Sequence, residues 1–348
     1  MDYLNRSPRI VLSGLTMAAV LFGASCAPSE QGGTESAGQS NIALLTSGPV
    51  SDAGWNAGAF QGLLLISDSM GAKVSHQQTR TSAEYDEAFI SYADAGYDLI
   101  FGHGFEYQDA ATRAGEAYPE VTFVVSAGST PSANVVPLVF QLEEATYLAG
   151  MAAGSVTQSG IVGMVGGVEI PSAKGTFLAF EAGVQAVNPD ATVLETFTGS
   201  WEDVASAKEA AVAHLRRGAD VLIHNLDAAG FGVFQAVREA QTPDRAIWAM
   251  GMNSNQNDVA PEIILGSAVI DIPATFLDVA KDWDSGTLEG PLFTGLGGGT
   301  VDFVPNPELP LLSADVLNEI QEARLGIMDG TLEIPRIRFV EDGSDPSK

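Results

Sequence analysis

The chain has 348 residues, is 45% hydrophobic and carries a single cysteine, Cys26. It can therefore bury a substantial core, its length favours two lobes over one, and it has no internal disulfide. Sixteen Lys plus Arg stand against 44 Asp plus Glu, a formal net charge of −28, which repels a phosphate backbone and argues against nucleic acid as a partner.

Residues 1–25 read as a signal peptide. Arg6 and Arg9 precede the apolar run "IVLSGLTMAAVLFG", which is too short for a comfortable membrane span and ends in small residues before Cys26. That position predicts lipid attachment at Cys26, although Gly23 stands where such sites usually carry Leu. Residues 26–40, rich in Gly, Ser and Gln, read as a flexible tether from the lipid anchor. The mature protein is expected to hang from a cell membrane on its periplasmic or extracellular face.

From Asn41 the chain alternates β-branched runs with Ala-rich helical patterns, the signature of an α/β fold with doubly wound sheets. Strands are predicted at "NIALLTS", "AKVSHQQ", "YDLIFG" and "VTFVVSAG", with helices between them. After the helix "EEATYLAGMAAGSVTQ" the rhythm restarts with "GIVGMVG", "ATVLETF", "DVLIHN" and "AIWAMGM", so two similar lobes are expected. Gly48, Gly102, Gly104, Gly166, Gly167 and Gly251 lie where strands give way to helices, the edge at which open parallel sheets bind ligands. Farther on, "EIILGSAVID" reads as a strand and "IPATFLDVAKDWDSG" as a helix. "PLFTGLGGGTVDFVPN" has hairpin character, and the helix "SADVLNEIQEARLGIMDG" precedes a predicted strand, "LEIPRIRFV".

Enzymatic chemistry finds little support. There is no G-x-S-x-G elbow, no H-E-x-x-H and no P-loop, the glycine clusters miss the dinucleotide spacing, and no cofactor is implied. His103, Glu106 and Asp109, spaced by three in "GHGFEYQD", could converge on a metal, but they are also ordinary capping and surface groups, and no metal is expected.

The binding reading does better, and it rests on "SDAGWNAGAFQG". In the helix that begins there, Ala59, Leu63, Ile66 and Met70 supply the core stripe. Asp52, Asn56 and Phe60, spaced by four, form a line up one side, with Phe60 on the flank of the stripe. Asp52 is a good N-cap by itself. Together the three offer a carboxylate, an amide and a ring at the mouth of a cleft, suited to a small polar ring compound.

"DAGWNAGAFQG" resembles the D-x-x-F-N-x-x-x-aromatic-x-G segment of the basic membrane protein family, substrate-binding lipoproteins of ABC transporters that include purine nucleoside receptors. The likeness extends through "GHGFEYQDAATRAGEAYPEVTF", "FQLEEATYLAGMAAGSVTQSGIVGMVGG", "GADVLIHNLDAAGFGVFQAVRE" and "MGMNSNQNDVAP", covering residues 41 to about 303. The resemblance implies a periplasmic-binding-protein-like fold of two lobes with a ligand cleft between them. On that pattern the first lobe comprises residues 41–140 plus 266–300 and the second residues 141–265 plus 301–340, with the chain leaving the first near Phe140 and returning near Gly266. By the same carry-over Asp52 and Asn56, with Trp55 between them in the motif, contact the ligand, Phe60 stacks on a base and Asp109 adds a polar contact. Asn225 and Asp227, in "IHNLDAAG", are the candidates for the opposite wall.

Two positions depart from the nucleoside-binding members. Asn253 replaces an acidic residue that would hold ribose hydroxyls, and Ile270 replaces a Lys that would face the same hydroxyls. Loss of both is tolerable where loss of one would strand a buried charge, and it removes the charge-assisted bonds to a ribose. The expected function is capture of a small polar ligand, such as a purine nucleoside, a free base or a related ring, for delivery to a membrane permease with an ATPase behind it. A ligand-sensing receptor without transport and a hydrolase of nucleoside-like compounds are the rival readings.

Overall fold

The computed structural model describes residues 39–340, so the predicted signal peptide, Cys26 and nearly all of the predicted tether lie outside the described residues. In chain order the first elements are β1 (Asn41–Thr46), α1 (Trp55–Met70), β2 (Lys73–Gln78), α2 (Ser82–Asp94), β3 (Leu99–His103), α3 (Gln108–Ala117), β4 (Thr122–Ser126) and β5 (Val135–Phe140). The next are α4 (Leu142–Val156), β6 (Ile161–Gly166), α5 (Pro171–Val187), β7 (Thr192–Phe197), α6 (Val204–Arg216), β8 (Val221–Asn225), α7 (Gly230–Ala240) and β9 (Trp248–Asn253). The last are β10 (Ile264–Ile270), α8 (Ile272–Asp284), β11 (Leu292–Thr294), β12 (Val301–Pro305) and α9 (Ala314–Asp329).

The strands form two six-stranded sheets, ordered β11-β5-β4-β3-β1-β2 and β12-β10-β9-β8-β6-β7. The first is parallel throughout, and the second is parallel except for β12, which runs antiparallel to β10. Successive residues of a strand point to opposite faces, and β1 shows the result. Ile42 and Leu44 enter a core shared with α1 and α8, whereas Ala43 and Leu45 enter a second core under α2 and α3. In β8, Val221 and Ile223 likewise face the first core and Leu222 a third, under α6 and α7. Helices therefore cover both faces of each sheet, as the doubly wound pattern predicts. The first core is continuous from α1 and α8 to α4 and α5, so one apolar mass joins the lobes.

Several elements differ from expectation. The sequence pattern gives no strand at β5, because Pro137 in its middle cannot donate to a sheet ladder. It is accommodated near the sheet edge, with Pro137 opposite Val125 of β4. "PLFTGLGGGTVDFVPN" is not a hairpin: β11 pairs with β5 in the first sheet and β12 with β10 in the second, so this stretch is a crossover. The strand β10 belongs to the second sheet, so the expected return near Gly266 falls instead after Ile270, where α8 packs on α1. No strand forms over residues 332–340, which follow α9 as irregular chain.

Candidate functional site

Both sheets reverse their strand order between the first strand and a neighbour, at β1/β3 and at β6/β8, and the strand ends at such switch points open a crevice. The loops after β1, β3, β6 and β8 meet there around a cleft whose empty volume, its open mouth included, is about 680 Å³. Trp55, Phe105, Phe140, Trp201 and Phe339 give it aromatic walls, and Ser47, Glu106, Thr176, Asn225, Asp227 and Asn253 give it polar groups. Among the described residues that line it there is no Lys or Arg.

The first wall is built by the start of α1. Asp52 is buried and accepts from the first-turn amides: Oδ1 from Gly54 N–H at 3.0 Å and Ala57 N–H at 2.9 Å, Oδ2 from Asn56 N–H at 2.7 Å and Asn56 Nδ2 at 2.9 Å. These amides have no carbonyl partner within the helix, so the carboxylate caps them. Asp52 does not line the cleft. It holds Asn56, which also donates from Nδ2 to Asp227 Oδ2 at 3.1 Å, a bond between the lobes. Trp55 is the residue of this turn that faces the cleft; its ring lies on that of His103 with centroids 3.9 Å apart.

Besides Asp52 and Asn56, neither of which lines the cleft, two more expected contacts are corrected. Phe60 lies one turn farther along α1, away from the cleft at the helix start, and packs edge-on against His76 of β2 with centroids 5.2 Å apart. Asp109 is exposed in the first turn of α3 and does not line the cleft. Glu106, three residues earlier in a short 3-10 turn, supplies the carboxylate instead. His103 is fully buried, with Nδ1 at 2.9 Å from Ser126 Oγ and Nε2 at 3.1 Å from the Trp55 carbonyl oxygen, and burial lowers its pKa to about 3. It is a support for Trp55, and no metal-binding group of His, Cys, Asp and Glu occurs among the described residues.

The second wall comes from strand ends of the second sheet. Asn225 closes β8 and donates from Nδ2 to Thr176 Oγ1 at 2.9 Å. Asn253 closes β9 with φ 68°, a left-handed conformation that Asn tolerates better than most residues. Ile270, at the end of β10, also lines the cleft. The two departures from the nucleoside-binding pattern thus both face the ligand space. Trp201 lies in a polar loop and Phe105 in a short 3-10 turn, neither with a periodicity to mark it, and Phe140 ends a strand that the sequence pattern does not signal.

The cleft is electrostatically one-sided. Burial first, then the negative charges of Asp52, Glu202 and Glu106, raises the Asp227 pKa well above the usual aspartate range. Burial also raises Glu106 and Glu202. Glu202, Arg80 and Tyr85 stand at the outer mouth. There Gly48 permits close approach: a Cβ would sit 2.5 Å from Glu202 Oε1 and 2.6 Å from Asn56 Nδ2, and those side chains would have to shift. Such a site suits groups that donate hydrogen bonds or carry positive charge, and it repels anions.

The chain is similar to known solute-binding proteins along most of its length. The chain is 25% identical over 348 residues to a nucleoside-binding ABC transporter protein of Lactococcus lactis, covering 94% of this chain and 98% of that one. It is 27% identical over 307 residues to a putative ABC transporter glucose-binding protein of Haloferax volcanii, covering 87% and 76%. A solved solute-binding protein of an ABC transporter from Aeropyrum pernix superposes with a TM-score of 0.78 at 21% identity, covering 89% of this chain and 95% of that one, a likeness of fold. The family model described as "ABC transporter substrate-binding protein PnrA-like" matches residues 39–338, and the chain belongs to that family, Bmp.

Proposed function

We propose that this protein is the solute receptor of an ABC importer and captures a small ring compound that is neutral or cationic and rich in N–H donors. Nucleosides, nucleobases and their relatives are the class that fits. The observation that carries this reading is the cleft itself: aromatic faces from Trp55, Phe105, Phe140 and Trp201 surround the Glu106 and Asp227 carboxyls, with no cationic side chain among the described lining residues. Flat rings stack on such faces, and carboxyl oxygens accept from ring N–H groups. A phosphate or carboxylate on the ligand would meet two carboxyl groups and no cationic side chain among the described lining residues of the cleft. Asn225 and Asn253 add both donors and acceptors, and Asn56 reaches the ligand indirectly through Asp227. The relatives carry the names of nucleoside and glucose binders, and the aromatic walls favour the first of these for this chain. Closure of the lobes over the ligand would then present a defined surface to a membrane permease at the outer side of the cytoplasmic membrane.

Protein purified without refolding should release its ligand on denaturation, and mass spectrometry of that extract is the direct test. A thermal-shift panel of nucleosides, bases, hexoses, amino acids and nucleotides supplies the comparison. Stabilisation by nucleosides or bases and none by nucleotides is expected. Stabilisation by nucleotides or acidic amino acids alone would overturn the reading.

A further inference from the structure

The chain beyond α9 is irregular, yet it is tied down. Leu332 N–H donates to the Gly326 carbonyl oxygen at 2.9 Å, and Leu332 and Ile334 pack on the main core. Arg336 Nη2 then donates to Glu144 Oε1 at 2.6 Å, with the Glu144 side chain only 8% exposed. The other oxygen of Glu144 accepts from Leu296 N–H at 2.5 Å. Glu144 lies in the first turn of α4, just past the crossover at Phe140, and Leu296 lies in the crossover between β11 and β12. One carboxylate thus joins two crossovers to the C-terminal segment. Three residues after Arg336, Phe339 lines the ligand cleft beside Phe140 and Leu142. Extended chain advances about 3.3 Å per residue, so an anchor at Arg336 fixes the place of Phe339 to within a short tether of roughly 10 Å.

An ion pair taken largely out of water gains little stability over an apolar contact, because desolvation offsets its attraction, but it holds one geometry. We infer that residues 332–340 form a third wall of the cleft, clamped at the hinge by Arg336 and Glu144, and that Phe339 determines the size of ring the cleft accepts. Arg336 is a positioning residue, and Phe339 touches the ligand. The inference rests on the ring-compound reading of the cleft.

Two readouts on the full-length protein test it. Trypsin cuts after Arg336 and Arg338. Glu144→Gln, which keeps an acceptor for Leu296 but loses the charge that holds Arg336, should speed those cuts about tenfold by freeing the segment. An unchanged rate overturns the clamp. Calorimetric titration with adenosine and with the bulkier N6-benzyladenosine tests the wall. Phe339→Ala should weaken adenosine binding by about tenfold, as loss of a stacking aromatic does. It should weaken the benzyl compound less, while the ligand-free melting temperature stays near that of the parent. Equal weakening of both compounds, or no weakening, overturns the role of Phe339. If the parent binds neither compound, the nucleoside form of the proposed function fails, and the tryptic comparison then decides the clamp on its own.

Discussion

Asp227 shows how a single carboxyl joins stability to recognition. Burial and three neighbouring acids raise its pKa in the folded protein, so the folded state holds a proton that the unfolded chain would release. The stability linked to that proton is complete below the ordinary aspartate range and is lost as pH rises through the raised value. Asp227→Asn keeps an acceptor for Asn56 and abolishes the titration. The melting temperature of the ligand-free variant should fall less than that of the parent between about pH 4 and about pH 8, and parallel profiles would remove Asp227 from this role. The same site offers a test of ligand class. Asn253 and Ile270 both face the cleft where the nucleoside-binding pattern has an acid and a Lys. The double variant Asn253→Asp, Ile270→Lys should therefore gain adenosine affinity over the parent by about tenfold in calorimetric titration, the scale of one charge-assisted contact. At this scale the sequence was partly legible. Of the residues expected to touch the ligand, Trp55, Asn225, Asp227 and Asn253 line the cleft, whereas Asp52, Asn56, Phe60 and Asp109 do not. Spacing by four aligned Phe60 with Asn56, but it could not say that the cleft opens at the helix start and leaves Phe60 one turn too far along.

Among the elements, α4 and α5 pack with their backbones in close approach at glycine. A Cβ on Gly150 would lie 2.1 Å from the Phe180 carbonyl oxygen, and one on Gly183 would lie 2.0 Å from that of Tyr147. No side chain can yield there, because the obstruction is backbone. Gly183→Ala must push the two helices apart, at a cost of about 2 kcal/mol or more, and should lower the melting temperature by several degrees. The displacement would also be felt at the cleft, since Thr176 of α5 holds Asn225 and Glu143 of α4 packs against Gly175 of α5. Ligand affinity should therefore fall together with stability, and a variant as stable as the parent would show that the contact relaxes freely. Neither helix announces this pairing through its hydrophobic period, which marks only a buried face. Alternating runs made most strands legible, and they failed where pairing is decided by distant partners. Pro137 hid β5, and no local pattern tells that β11 and β12, six residues apart, enter different sheets.

At the scale of the molecule, the lobes are joined by crossovers on one side of the cleft and held by a few hydrogen bonds on the other. Ser254 Oγ donates to the Ala53 carbonyl oxygen at 2.5 Å, Gln256 Nε2 donates to the same oxygen at 3.2 Å, and Asn56 bonds Asp227. Ala53 adopts φ 54°, a conformation that costs energy for an alanine and turns its carbonyl toward the second lobe. Each bond contributes about 1 kcal/mol net, so the clasp is worth roughly 3 kcal/mol, enough to favour a closed form and small enough for a ligand to bias. A donor-rich or cationic ligand would meet the Glu106, Glu202 and Asp227 carboxyls at this gap and so favour the closed form. Ser254→Ala with Asn56→Ala removes two of the three bonds and leaves the hinge and both sheets untouched. In solution scattering the ligand-free double variant should have a larger radius of gyration than the parent, and saturating ligand should bring the two curves together. Identical curves without ligand would mean that the shared apolar core beneath the cleft, rather than the clasp, sets the closed form.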